Sequence, residues 1–207
     1  MLRVIAGEHR GRRLRAPAGL GTRPTADRVR QALFNILPPP APGSVALDLY
    51  AGSGALGIEA LSRGAAAAVF VDADPAACAV LRANLRALGL GGRAVVLAQR
   101  VERVLARLLD AGLAPGGTAP PYSYVFADPP YKDVASQVPA LLHFFFTHQA
   151  TLLGPHGLLV IEHDRRTELA GELPRVDARR YGDTALSFFA APQAEPTSHD
   201  LQPGDPP

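Results

Sequence analysis

The sequence predicts an α/β fold in which a mostly parallel sheet is covered by helices on both faces. Three observations predict it. From residue 45 to residue 162, apolar runs of four to six residues alternate with longer segments of helical period, the pattern of a chain that reaches successive parallel strands through crossover helices. The run Val45-Ala46-Leu47-Asp48-Leu49 ends in a small-residue turn, Tyr50-Ala51-Gly52-Ser53-Gly54, and a helix opens near Gly54. That is how a parallel sheet presents a nucleotide pocket at a strand's carboxyl end. Finally, Tyr124-Val125-Phe126-Ala127 runs into Asp128-Pro129-Pro130-Tyr131, which puts a second carboxylate at the end of the fourth strand.

Residues 2 to 15 alternate apolar and basic positions with Gly7 and Gly11 as turn points, and read as one or two short strands or a hairpin that need not join the core. A helix then opens at Arg23-Pro24-Thr25-Ala26-Asp27, where Thr25 can cap and Asp27 favours the positive end. It should stop before Pro38, burying Val29, Leu33, Ile36 and Leu37 on one face and leaving Arg28 and Gln31 on another. The proline run from 38 to 42 is a stiff connector into the first strand. Strands follow near 45–49, 68–71, 94–97, 124–127 and 157–162, with helices near 54–63, 75–88, 100–112 and 135–150. Arg175 to Tyr181 and Ala185 to Ala190 flank Gly182-Asp183-Thr184 and read as a closing antiparallel hairpin.

A chain of 207 residues, 47% of them hydrophobic, can bury one sizeable core. One domain over 1–190 is therefore expected, with 1–24 as a basic extension and a proline-rich, disordered tail at 191–207. No run of eighteen apolar residues and no secretory signal is present, so the expected location is cytoplasmic and no membrane is involved. The single cysteine, Cys78, falls in a helical pattern and reads as packing. His143 and His148 stand five apart, which misses the pairing a helical zinc site uses, so no metal is expected. His163 should lie at the pocket rim, within reach of a substrate. Glu59 and Glu102 read as solvated helix carboxylates. Net charge is only +2, yet residues 1 to 30 hold eight arginines against Glu8 and Asp27, a balance of +6 that leaves −4 for the rest. A front end so basic suggests contact with a polyanion.

Gly52, Gly54 and Gly57 satisfy G-x-G-x-x-G, and Asp72 stands twenty positions after Gly52, so a dinucleotide-dependent oxidoreductase is one reading. Asp48 speaks against it, because a carboxylate beside the loop repels a pyrophosphate and suits a cationic ligand. An acidic glycine loop, an acid after Val69-Phe70-Val71 and Asp128-Pro129-Pro130-Tyr131 together resemble the S-adenosylmethionine-dependent amino-methyltransferases. The front of the chain sharpens the likeness. Arg3-Val4-Ile5-Ala6-Gly7, Arg10-Gly11-Arg12-Arg13-Leu14, and the stretch from Arg23-Pro24-Thr25-Ala26-Asp27-Arg28-Val29-Arg30 to Leu37 resemble the bacterial 16S ribosomal RNA guanine-N2 methyltransferase family. So do Gly52-Ser53-Gly54-Ala55-Leu56-Gly57 and Tyr181-Gly182-Asp183-Thr184, and the resemblance covers residues 2 to about 190.

The resemblance implies a Rossmann-like class I methyltransferase fold with a seven-stranded sheet, S-adenosylmethionine as donor, and a guanine of 16S ribosomal RNA as acceptor, in a partly assembled small subunit. It implies that Asp128, Pro129, Pro130 and Tyr131 hold the acceptor amine and base. It implies a donor site made by Asp48, Tyr50, Ala51, Gly52, Ser53 and Gly54, with Asp72 and Ala73 at the ribose and Gln99 and Arg100 at the adenine. Many relatives have Asp or Asn where this chain has Ala98-Gln99-Arg100, so either Gln99, through its amide oxygen, or a backbone group is the substitute acceptor. Arg10, Arg12, Arg13, Arg23 and Arg28 are the expected RNA contacts. An adenine-N6 or cytosine-N4 methyltransferase, and an RNA-binding module without catalysis, remain alternative readings.

Overall fold

The computed structural model describes residues 2–17, 24–109, 113, 121–130, 134–169 and 171–190. Its strands are β1 (Val45–Leu49), β2 (Ala67–Asp72), β3 (Ala94–Ala98), β4 (Tyr122–Ala127), β5 (Leu153–Asp164), β6 (Arg175–Tyr181) and β7 (Thr184–Ala190). Its helices are α1 (Pro24–Ile36), α2 (Ala55–Ser62), α3 (Pro75–Ala87), α4 (Val101–Val104), α5 (Val134–Thr147) and α6 (Gln149–Leu152). The strands form one seven-stranded sheet in the order β3-β2-β1-β4-β5-β7-β6. Pairing is parallel from β3 to β5, while β7 runs antiparallel to both β5 and β6. The α/β sheet with a closing antiparallel hairpin is therefore as the sequence predicts.

Every residue of β1 is buried, and the two faces of the sheet carry separate apolar clusters. Leu47, Val69, Val125 and Leu159 pack with α5 residues such as Leu142 and Phe145. Ala46, Phe70, Phe126 and Val160 pack with Leu33 of α1, Ile58 of α2 and Leu81 of α3. Burial on both faces is why these strands read as unbroken apolar runs rather than as an alternation.

Several boundaries differ from the sequence reading. The helix expected at 100–112 is α4 followed by a tighter 3-10 turn, Leu105–Leu109, and the helix expected at 135–150 divides into α5 and α6 around His148. β5 starts at Leu153 rather than 157, because Leu153 already pairs with Tyr122 before a register shift. No helix among the described residues is long and apolar enough to cross a membrane. The proposed tail at 191–207 lies outside the described residues, as do Arg23 and Tyr131.

The front segment is a hairpin, as expected, but it belongs to the core. Arg3 bridges Arg13, and Val4 and Leu14 are buried against the α1–α2–α3 face. Buried polar side chains hold it, Glu59 and Asn84 among them. Glu59 of α2 is 1% exposed and accepts the N–H groups of Ile5 at 2.7 Å and Ala6 at 3.0 Å, besides the Arg63 Nε–H at 2.8 Å. The reading of Glu59 as a solvated carboxylate is thus overturned: helical spacing cannot reveal that a strand from elsewhere brings it two donors. Asn84 of α3, also buried, accepts the Arg15 N–H and donates to the carbonyls of Arg15 and Ser53.

Candidate active site

Strand order reverses direction between β1 and β4, since β2 and β3 lie to one side and β5 to the other. A crevice outside the carboxyl ends of the strands opens at such a point. The glycine loop forms one wall. Tyr50 (φ 60°), Gly52 (φ 54°) and Gly54 (φ 78°) all have left-handed backbone, which bends the chain sharply from β1 into α2. For Tyr50 this costs about 1 kcal/mol or more, a strain that accumulates at ligand sites. The glycines serve different ends. A Cβ at Gly54 would strike Leu81, and one at Gly57 would strike the Phe70 ring, so both permit α2 to pack close. A Cβ on Gly52 would meet nothing within 4 Å, so its bare backbone faces open space where a ligand can approach.

Carboxyl groups from four strand ends converge on this crevice. Asp48 is 2% exposed and its Oδ2 accepts the Gly57 N–H at 2.9 Å, fixing the first turn of α2 from below. Asp72 uses Oδ2 to accept the Gly52 N–H at 2.7 Å and Oδ1 to accept the Asp74 N–H at 2.8 Å. Ala127 pairs with Ile161, so Asp128, just past β4, lies beside Glu162 near the end of β5. Burial, with added repulsion from Asp128 and Asp72, holds the Asp48 carboxyl well above the usual range. Burial likewise raises Asp128 to about 6, and burial plus the charge on Asp128 raises Glu162 to about 8. Asp128 is nonetheless exposed. Both descriptions fit a carboxyl on the floor of an open cleft, where water reaches the oxygens while packed protein around them still disfavours charge.

Stability should therefore fall as pH rises. Unfolded carboxyls ionise near pH ~4, whereas the folded pair ionises near about 6 and about 8, so the folded state holds the extra protons in between. Each ionisation across that window works against folding. Thermal unfolding at pH 5 and at pH 8.5 should show a lower midpoint at the higher pH, and an Asp128→Asn, Glu162→Gln double variant should lose part of that drop. An undiminished drop in the double variant would place its origin elsewhere.

Residues 2–190 match the protein family described as Conserved hypothetical protein 95. Over 193 residues the chain is 39% identical to the Bacillus subtilis protein named "Putative rRNA methyltransferase YlbH", covering 91% of this chain and 98% of that one. It is 36% identical to ribosomal RNA small subunit methyltransferase D of Haemophilus influenzae over 79% of each chain. The chain belongs to this methyltransferase D family. Its fold matches the solved structure titled "Putative methyltransferase yhhF from Escherichia coli" with a TM-score of 0.71 at 32% identity, over 92% of this chain and 98% of that one.

Within the methyltransferase D fold, the structure brings Asp48, Tyr50, Ala51, Gly52, Ser53, Gly54, Asp72 and Ala73 together at the ends of β1 and β2, with Asp128, Pro129 and Pro130 facing them across the switch point. Gln99 and Arg100 are exposed after β3, and Gln99 Oε1 accepts an Arg107 Nη1–H at 3.2 Å. Arg10, Arg12, Arg13 and Arg28 are all exposed. Arg12 also donates to the Ala87 carbonyl at the end of α3. Arg30 instead is buried, bonded to the Arg3 carbonyl and paired with Asp27, which the front-end charge count does not distinguish from its neighbours. His163 is not at the rim: it is 4% exposed, its Nε2 shares a hydrogen bond with Ser187 Oγ, and burial lowers its pKa. Among the described residues no group of acids, histidines and cysteines could hold a metal ion. Glu162 was missed by sequence reading. Its signal was its position, one residue past the apolar run of the strand that neighbours Asp128.

Proposed function

We propose that this protein transfers the methyl group of S-adenosylmethionine to the exocyclic N2 amine of a guanine in the 16S RNA of the small ribosomal subunit. The observation that carries the reading is the convergence of Asp48, Asp72 and Asp128 on a crevice floored by bare Gly52 backbone. Such a cleft repels a pyrophosphate and favours a ligand bearing positive charge. S-adenosylmethionine fits on that account: its ammonium and sulfonium offset the carboxyls, its ribose hydroxyls can donate to the lone pairs Asp72 has free, and its amino-acid end can lie on Gly52. When bound, the donor supplies an electrophilic methyl group.

The rest falls to the chain's own residues. A guanine amine is a weak nucleophile because its lone pair is delocalised into the ring. Asp128 accepts one amine hydrogen and the Pro129 carbonyl the other, which turns the lone pair toward the methyl group and holds it there. Two successive prolines fix that carbonyl and offer no competing N–H. Tyr131, outside the described residues, would stack on the base once it has left its own stack. Asp48 holds α2 in place, and a bound ammonium favours its ionised form. The exposed Arg10, Arg12, Arg13 and Arg28, with Arg23, are the RNA contacts, and the chain would act in the cytoplasm on a partly assembled subunit.

The decisive experiment supplies labelled S-adenosylmethionine to small subunits from a strain lacking this gene and identifies the product nucleoside by mass spectrometry. N2-methylguanosine is expected. Binding without incorporation would favour a non-catalytic RNA-binding module. A methylated adenine or cytosine would move the acceptor to another base. Charge removal at Arg10 and Arg13 should weaken RNA binding and reduce its salt slope by about 1 for each phosphate no longer neutralised, with donor affinity unchanged. Equal loss of donor affinity would make the arginines structural.

A further inference from the structure

Glu162 stands beside the proposed acceptor site, and the methyl transfer described for Asp128 and Pro129 leaves it without a task. Asp128 and Glu162 each directly follow the last register pair of β4 and β5, Ala127 and Ile161, whose backbones are about one strand spacing of 4.8 Å apart. The Glu162 side chain lines a small cavity with Leu33 of α1, Leu56 of α2, Phe126, Val160 and Leu186. It has no hydrogen bond or ion pair with any described residue, and the charge that bears on it is another acid, Asp128. An apolar cavity wall is a costly place for a second carboxyl that bonds to no described residue. A group kept there at a cost, within one strand spacing of the acceptor carboxylate, points to contact with a ligand.

Bases differ in what adjoins the amine. Beside the N2 amine of guanine lies N1–H, a donor. Beside the N6 amine of adenine lies N1, and beside the N4 amine of cytosine lies N3, both acceptors. We propose that Glu162 selects guanine by accepting its N1–H next to the amine held by Asp128 and the Pro129 carbonyl, an inference that rests on the amino-methyltransferase reading above. The guanine N1–H and the cationic donor bound nearby both favour the ionised form of Glu162, and that carboxylate meets a donor on guanine but a lone pair on adenine or cytosine, so one contact both attracts the right base and repels the wrong ones. The leucines and Phe126 around it exclude water from the contact, which strengthens the discrimination.

Two variants test this. Glu162→Leu cannot accept N1–H and leaves that donor unpaired, so kcat/KM on small subunits lacking the modification should fall about 10²-fold. Glu162→Gln keeps one acceptor oxygen without the charge and should lose about tenfold. Affinity for S-adenosylmethionine should stay within about threefold, and thermal midpoints should hold or rise, because an unpaired acid beside Asp128 is gone. Subunits reconstituted with 2-aminopurine at the mapped position keep the N2 amine but lack N1–H. Wild type should prefer guanine over this analogue by about 10²-fold, and Glu162→Leu should shrink the preference to about fivefold or less. If wild type makes N2-methylguanosine while both variants keep its activity and preference, the role assigned to Glu162 is overturned and the amino-methyltransferase reading stands. Activity loss that tracks lowered midpoints in both variants overturns it too, as a packing effect. If wild type makes no N2-methylguanosine, the reading itself fails and takes this inference with it.

Discussion

Asp128→Ala should lower the turnover of methyl transfer about 10³-fold while leaving affinity for S-adenosylmethionine within about threefold. The size follows from what the carboxylate is proposed to do. It acts on a nitrogen whose charge changes only as the new bond forms, and removing one such preorganised group from an active site costs about 10²–10³ in turnover. Donor affinity is spared because the loop from Tyr50 to Gly54 is organised by Asp48 and Asp72, with no bond to Asp128. Stability should not suffer either. Asp128 bears on the charge of both Asp48 and Glu162, so removing it relieves repulsion, and the thermal midpoint should rise or hold. Filter assays with labelled donor, equilibrium binding and thermal unfolding on one preparation separate these quantities. A variant that keeps a tenth of wild-type turnover would show that another group holds the amine.

Glu59→Ala should destabilise the protein by about 3 kcal/mol or more. The substitution strips acceptors from two backbone N–H groups and leaves Arg63, itself 20% exposed, without its carboxylate. Breaking a buried pair from one side costs about 3–5 kcal/mol, and each stranded N–H adds its own desolvation cost. The effect is local in origin, so the amides of Ile5 and Ala6 should exchange hydrogen fastest, ahead of those in β1. Glu59→Gln keeps one acceptor oxygen and should lie between the two. Denaturant unfolding gives the energy and hydrogen exchange the location. A loss below about 1 kcal/mol would mean that Val4 and Leu14 hold the hairpin by packing alone.

What could be read before the structure, and what could not, divides along a physical line. β1, β2 and β4 are mostly apolar runs because both of their faces are covered, and that pattern is local enough to read directly. Asp74 caps α3 from directly before Pro75, its side chain accepting the Ala76 N–H. The readings that failed concern side chains whose surroundings come from far along the chain. Glu59 lies 54 residues from Ile5, whose N–H it accepts, and His163 lies 24 residues from Ser187. No periodicity encodes such partners. Glu162 belongs with these, since its closeness to Asp128 depends on the register between β4 and β5. The candidate site was legible where one short segment makes it, as in the glycine loop, and obscure where two strands must be aligned first.

Asn84 joins the Arg15 backbone to the Ser53 carbonyl in the glycine loop, and this has a practical bearing on how the protein can be dissected. Trimming the chain ahead of α1 to isolate a catalytic fragment would strand that amide, together with Glu59 and Ser62, in the interior. The glycine loop would then lose a brace. The proposed RNA contacts can be tested by changing exposed arginines, but not by shortening the chain.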